Sequence, residues 1–497
     1  MSTTPAGNQW LKEKFNISGY VLTHCSYIGN NESIEITNKG NIEQVYNRKY
    51  APSEDTPIAH LEFSLKYDDL SLAFLKKVFD KIVVEDIEQF IQLNPTGKYS
   101  KKIGFLFEFL TGKQLLINKP VGGNYVDLLE DERYVTGNTV KNKRWRINNN
   151  LLGTVLFCPI IRKTNKLREL LKQDISAKLE QLKIEFSLAV FQRAINYLYN
   201  KETRSSYEIE KEQPTPDRME KFVALLTQAG SEDKGELLDA RRLIQLQNAI
   251  VDSRFAAEEF RDFQNYIGQN LPGNVNIFHY ICPPPIFVQS LMKGLTDVFN
   301  KTIGIPAEIR AAVISFGFVF IHPFEDGNGR IHRFLIHDIL VHDEVVPKGL
   351  IIPVSAHMVN NIRDYDAVLE RYSKPLMQII RYNNNYEGAV EVLNAEEVEA
   401  YYRFPDLTEQ CIYLTETIHA TLKEDMPEEL LFIQRYDEVK HAIQHVVDMP
   451  DRLINLMILF LHQNRGIFPK RRREQFSKLT DLEIERMEIE FRKIFEL

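Results

Sequence analysis

His322–Arg333 reads HPFEDGNGRIHR, a loop that closes one buried helix and opens another. Upstream, Pro306–Ile321 is apolar almost all round, the pattern of a helix at the centre of a domain, and Pro306 is well placed to start it. Pro323 pushes His322 out of the α region, so the helix must end there. A side chain at the end of a buried helix has a fixed position, which suits a catalytic base. Asp326-Gly327-Asn328-Gly329 follows, then a second amphipathic helix carrying Ile331, Phe334, Leu335 and Ile339. Two glycines in three residues let backbone N–H groups converge, and the helix N-terminus behind them adds its positive dipole end. Together they form an anion nest suited to phosphates. Arg330 and Arg333, three apart on the first turn, can face the same anion. Asp326 stands where a carboxylate could hold a divalent cation bridging phosphate oxygens. A plain turn would account for the glycines, but not for two arginines at a helix N-terminus, where the dipole disfavours cations. The combination defines a phosphate-transfer site.

Working outward, 497 residues are too many for one ordinary core and predict two to four domains. A hydrophobic content of 44% with 26% charged residues places the chain among soluble globular proteins. The net charge of −8 argues against a general nucleic-acid or anionic-membrane binder, so any such contact must be local. Cys25, Cys158, Cys282 and Cys411 are scattered without CxxC spacing and read as reduced thiols of a cytoplasmic protein. No secretory signal or membrane span is expected.

Residues 1–160 mix β-like runs (Gly19–Thr23, Leu115–Ile117) with helical spacing over Leu70–Leu93 and Lys101–Leu110, predicting a small α+β domain. Lys98–Lys102 reads as surface charge. Residues 161–202 predict one or two connecting helices. Residues 203–378 are strongly helical: Asp217–Ala229, Gly235–Val251, Ile286–Asn300, Pro306–Ile321, Arg330–Val341 and Met358–Tyr372 are the candidates, interrupted by the turn-rich Pro272–Pro285. Residues 390–497 are again helical and highly charged. The fold class expected is therefore mainly α.

At His322–Arg333 the chain resembles the Fic (Fido) family, whose signature HPFx(D/E)GNGRxxR it matches throughout. The resemblance implies an all-helical core that moves the AMP of ATP onto a Ser, Thr or Tyr hydroxyl with Mg²⁺, releasing pyrophosphate. Carried over, His322 takes the hydroxyl proton and Asp326 binds Mg²⁺. Gly327, Asn328 and Gly329 hold the α- and β-phosphates, Arg330 contacts the β-phosphate, and Arg333 the γ-phosphate. Phe324 anchors the loop from inside. His332 stands where many members have Gly and is expected at most to narrow the pocket mouth. Arg261–Gly268 (RDFQNYIG) resembles the family's R-x-x-Q-N-x-x-G segment. Phe278–Pro285 (FHYICPPP) resembles its flap, on which a target protein docks as an added strand through Tyr280, Ile281, Cys282 and Pro283. Asn361 and Tyr365 resemble the adenine-side helix.

Ser206 and Glu210, in KETRSSYEIEKE, match the spacing of the family's inhibitory pattern (S/T)xxxE(G/N), with Lys211 in place of Gly or Asn. In the subgroup with an N-terminal inhibitory helix, such a glutamate competes with the triphosphate for the second loop arginine. His337-Asp338 and His342-Asp343 read as surface groups at a helix end, not as a metal centre. The C-terminal region resembles a winged-helix module whose Lys470–Arg473 could meet DNA phosphates, although a solvated helix start explains the same cluster. Homo-oligomerisation is left open. The rival readings are a nucleic-acid-binding regulator that keeps the core as a sensor, and a transferase or hydrolase that uses another nucleotide or removes AMP.

Overall fold

The computed structural model describes residues 3–37, 41–232, 237–271, 275–384 and 390–497. It is 57% helical, with its larger sheets near the N-terminus. The central helix Ala307–Ile321 is buried along its whole length, as an all-round apolar surface requires. It packs against the loop helix Asn328–His342, against Pro285–Lys301 and against Thr408–Ala420. Among the described residues no helix is long and apolar enough to cross a membrane.

The N-terminal region has a four-stranded sheet ordered Thr4–Ala6, His24–Gly29, Ile42–Asn47, Ser33–Ile36, beside helices from Pro57 to Thr111. Its inner pair is parallel, His24 opposite Ile42. The β-like runs at Gly19–Thr23 and Leu115–Ile117 are not strands; directly after the first of them a strand begins at His24. Leu70–Leu93 divides into Leu72–Phe79 and Val84–Leu93, because Asp80 caps the first helix and Val83 is extended. Gly112, at φ +69°, ends the helix Lys98–Thr111 in the left-handed region. Lys101 and Lys102 are not surface charges. Both are buried, with Lys101 Nζ donating to Asn124 O at 2.8 Å and Lys102 Nζ 3.6 Å from Glu130. Burial lowers the Lys102 ammonium to about 8.

The connecting stretch forms three helices, Asn165–Leu170, Ile175–Glu185 and Leu188–Ile209, capped by the side chains of Thr164, Asp174 and Ser187. All three bury side chains in the central core. The last runs on past residue 202, delivering Ser206 and Glu210 to the loop helix. The expected start of a helix at Gly235 and the turn at Pro272–Asn274 lie outside the described residues; the helix is seen over Ala240–Ile250.

Ala395–Arg403 and Thr408–Ala420 also pack on the central core, and a separate apolar cluster begins only at Val439. That cluster joins the end of Met426–Val446 to Asp451–Gln463 and Asp481–Phe495. Residues 426–497 contain no strand, so nothing in them corresponds to a wing. In the basic cluster, Arg473 pairs with Asp481 at 3.0 Å and Arg472 lies over the Phe460 ring at 5.2 Å, so half of its charge is engaged within the module.

Candidate active site

His322 caps the central helix at φ +53°, ψ +59°. The left-handed region costs a non-glycine residue about 1–2 kcal/mol, a strain the surroundings must hold. Arg261 holds it. Its Nε donates to His322 O at 2.7 Å, its Nη2 to Pro283 O at 2.7 Å and Ile321 O at 3.3 Å, and its backbone N to Pro323 O at 2.9 Å. The imidazole Nδ1 lies 3.1 Å from Val319 O. A carbonyl can only accept, so Nδ1 carries the proton and Nε2 keeps its lone pair. Burial, reinforced by the Arg261 charge, lowers His322 from 6.5 to about 4.

That shift has a sign. The imidazole stays neutral while pH falls through 6.5, so any reaction using it as a base should hold its plateau rate down to roughly pH 5. The unfolded chain takes up that proton first, so stability falls as pH drops from 6.5 towards about 4. Initial rates against pH, with circular dichroism to mark unfolding, check both; a rate inflection near 6.5 in folded protein would contradict them.

Gly327, at φ +89°, starts the loop helix. Asn328 does not point at the nest. Its Oδ1 accepts from Phe324 N at 3.0 Å and its Nδ2 donates to Phe324 O at 2.8 Å, so the side chain staples the loop. The Phe324 ring is buried, 5.5 Å from the ring of Phe260. Gln247 Nε2 braces Asp326 O at 3.3 Å, a role nothing in the sequence announced.

The two arginines are buried and meet different carboxylates, one at Arg333 and two at Arg330. Arg333 Nε donates to Ser206 Oγ at 2.8 Å, and its Nη2 to Ser206 O at 2.7 Å and Glu210 Oε1 at 2.8 Å. Arg330 Nη2 sits 2.6 Å from Asp326 Oδ1 and 3.0 Å from Glu212 Oε1. Arg330 Nε and Arg333 Nη1 are buried without partners, so the site holds spare cationic donors. A Cβ on Gly329 would stand 2.1 Å from Glu210 Oε1, so the Glu210 carboxylate lies against the nest itself.

Directly after Glu210 the chain turns back by a left-handed reversal. Lys211 N donates to Glu208 O at 2.9 Å and Glu212 N to Tyr207 O at 3.0 Å, with Lys211 at φ +58°. This is a Schellman end with lysine where glycine is favoured, which explains why Gly or Asn fits after the glutamate. Lys211→Gly should add about 1 kcal/mol of stability and raise the melting temperature by roughly 2 °C. An unchanged or lower value would show that the reversal is not strained. About two turns before Glu210, buried Glu202 ties the same helix to His337 Nε2 at 2.8 Å and Ser355 N at 2.9 Å.

The flap is an antiparallel hairpin, Tyr266–Leu271 with Val275–Ile281. Gln264 Nε2 donates to Cys282 O at 2.7 Å and Asn265 Nδ2 to Phe324 O at 3.1 Å, which ties the hairpin to the loop. Gly268 is required because a Cβ there would stand 2.5 Å from Ile277 O. Tyr280, Ile281, Cys282 and Pro283 are not a docking face. All four are buried at the hairpin base, with Tyr280 OH 2.5 Å from Phe320 O. Ile277 and His279 face outward instead.

Tyr365 is buried beside Arg333, its ring 6.2 Å from that of His332. Asn361 is exposed and lines a groove of about 290 Å³ with His357, Asp364 and Tyr413; no loop residue borders it. His332 does not narrow a mouth. It is fully buried against Phe316, 4.7 Å between rings, and burial drives it down to about 3. Nor are the two His-Asp pairs surface groups. Asp338 is buried against Arg242 at 2.8 Å, and Asp343 pairs with Arg310 and with His342.

Residues 237–340 match the Fic/DOC family model; Ser206–Glu212 lie outside that segment. The chain is similar to protein adenylyltransferase fic-1 of Caenorhabditis elegans, 28% identical over 134 residues, which is 24% of each protein. It is also similar to a probable protein adenylyltransferase of Aquifex aeolicus (strain VF5), 26% identical over 168 residues, 30% of this chain and 50% of that one. The matches thus span a quarter to a half of these relatives' lengths. Among solved structures, a Fic family protein from Desulfovibrio desulfuricans G20 aligns with a TM-score of 0.37 at 18% identity, covering 56% of this chain and 80% of that one.

Proposed function

We propose that this chain transfers AMP from ATP to a Ser, Thr or Tyr hydroxyl of a target protein or of itself, and that Glu210 holds it off at rest. One observation carries the reading: a neutral His322 with Nε2 unprotonated stands on the same loop as a phosphate nest whose arginine is occupied by Glu210. The names of the similar proteins point the same way.

In this reading ATP displaces the Glu210 carboxylate, and Arg333 takes the γ-phosphate through the donors that Glu210 held. The backbone of Gly327–Gly329 and Arg330 hold the phosphates nearer the reacting bond. The target docks by main-chain pairing along the outer hairpin edge. Its hydroxyl oxygen bonds to the α-phosphorus, the bond to the β-phosphate oxygen breaks, pyrophosphate leaves, and the proton passes to His322 Nε2.

Among the described residues no cluster of three or more His, Cys, Asp or Glu side chains could hold a metal. Asp326 offers a single carboxylate, 42% exposed at the nest. That fits Mg²⁺ arriving with its nucleotide, since this ion keeps waters and phosphate oxygens and needs few protein ligands. When bound, it supplies charge neutralisation between phosphate oxygens.

Incubation with α- or γ-labelled nucleotides, for each of the four bases, tests the proposal. Protein label from α-labelled ATP alone supports it. Label from the γ position makes the enzyme a phosphotransferase, and no label in any variant favours a nucleotide-sensing regulator.

A further inference from the structure

Two residues past Glu210, just beyond the inhibitory pattern, Glu212 makes the fuller of the two contacts with the loop. Its Oε1 lies 3.0 Å from Arg330 Nη2 and its Oε2 3.1 Å from Arg330 Nη1, the two-pronged geometry of a strong guanidinium–carboxylate pair. Arg330 is 1% exposed, and its other acceptors are Asp326 Oδ1 and, at 3.4 Å, Ile250 O. Glu212 Oε2 also accepts from Arg218 Nη2 at 2.9 Å, and both guanidinium groups stack on Tyr207, at 5.0 Å and 5.2 Å. The left-handed turn at Lys211 makes this possible. It reverses the chain directly after Glu210, so that two acidic residues of one short segment reach two different arginines.

We propose that Glu212 is a second inhibitory carboxylate, which occupies the fork of Arg330 as Glu210 occupies Arg333. The inference rests on the reading that the loop binds a nucleoside triphosphate. The segment Ser206–Glu212 then withdraws both phosphate-binding arginines at once. Arg218 is the partner to which Glu212 retreats when phosphate takes Arg330, so the exchange leaves no carboxylate unpaired. A purely structural Glu212 would need only Arg218. The bidentate hold on a loop arginine is what a structural role leaves unexplained.

The consequence is that removing Glu210 alone gives an enzyme only partly released, with weak nucleotide binding. The test is Mg²⁺–ATP binding by calorimetry in a His322→Ala background, which stops turnover. Glu210→Gly is compared with Glu210→Gly plus Glu212→Gln, and with Glu210→Gly plus Glu212→Asp, which keeps the charge. The glutamine variant is expected to bind ATP about five- to tenfold more tightly, as loss of one charge-assisted pair implies, and the aspartate variant to stay near the starting affinity. With His322 restored, the glutamine change should lower KM for ATP and leave kcat in place. Equal or weaker binding by the glutamine variant, or a fall in melting temperature with no change in KM, overturns the proposal and leaves Glu212 a structural residue. If Glu210→Gly labels protein from α-labelled ATP while Glu212→Gln changes nothing, only this inference fails. If no variant binds ATP, the transferase reading falls and takes it along.

Discussion

Glu210→Gly should raise incorporation of label from α-labelled ATP by roughly 30- to 150-fold, the factor that about 2–3 kcal/mol of lost charge-assisted bonding provides. The argument is competitive. Arg333 is completely buried, and Glu210 both pairs with it and lies against Gly329, so one carboxylate blocks a cation and the nest together. Its side chain is 35% exposed, which keeps the pair exchangeable with solvent-borne phosphate. Removal has a second effect of opposite sign. It leaves the buried Arg333 guanidinium without its carboxylate, and losing a charge-assisted bond to a partly exposed partner costs about 1–2 kcal/mol. The variant should therefore melt earlier than the parent without nucleotide and recover with ATP, which replaces the missing negative charge. A labelling rate equal to the parent's, or a melting point that ATP does not restore, would remove Glu210 from the regulatory role and reduce Ser206–Glu210 to a helix end.

The parts of this site that could be read from sequence are those where local rules are broken. A turn explains the proline after a buried helix and the two glycines, but the two cations at a helix N-terminus have no structural excuse, and they mark His322–Arg333. Ser206 and Glu210 stood out only through the resemblance to the inhibitory pattern, because a Ser and a Glu four residues apart are common on any helix face. Contacts across long stretches of chain were not legible. Glu212 reaches Arg330 over 118 residues and sits in a charged run that looks like any solvated surface. Asn328 could be taken for a phosphate ligand alone, because only the folded loop shows both ends of its amide bonded to the Phe324 backbone. Tyr280–Pro283 read as a docking edge, but burial is set by the helices packed over the hairpin, which a short motif does not reveal. The N-terminal region was read as α+β, but its strands were misplaced: the inner parallel pair joins His24–Gly29 to Ile42–Asn47, and period-two patterning is weak in strands so short.

His322→Ala, made in the Glu210→Gly background, should lower kcat by about 10³-fold, within the range for loss of a positioned general base, while the KM for ATP stays within a factor of two or so. The split matters more than the loss. His322 lies between two elements with different duties, and its backbone belongs to the clamp: Arg261 Nε donates to its carbonyl. Alanine keeps that carbonyl but not the ring, and so separates chemistry from loop geometry. Arg330 and Arg333 are placed by the helix that starts beyond Gly327, so nucleotide binding should not register the change. The strained φ of +53° suits neither residue, and alanine adds no new clash. His322→Asn is the sharper control, because its amide can still donate to Val319 O but offers no base. Equal loss in both variants, with ATP affinity intact, assigns the effect to the Nε2 lone pair. If instead KM rises with the fall in kcat, or if asparagine restores the rate, the histidine acts by shaping the loop, and the proton of the target hydroxyl leaves by another route.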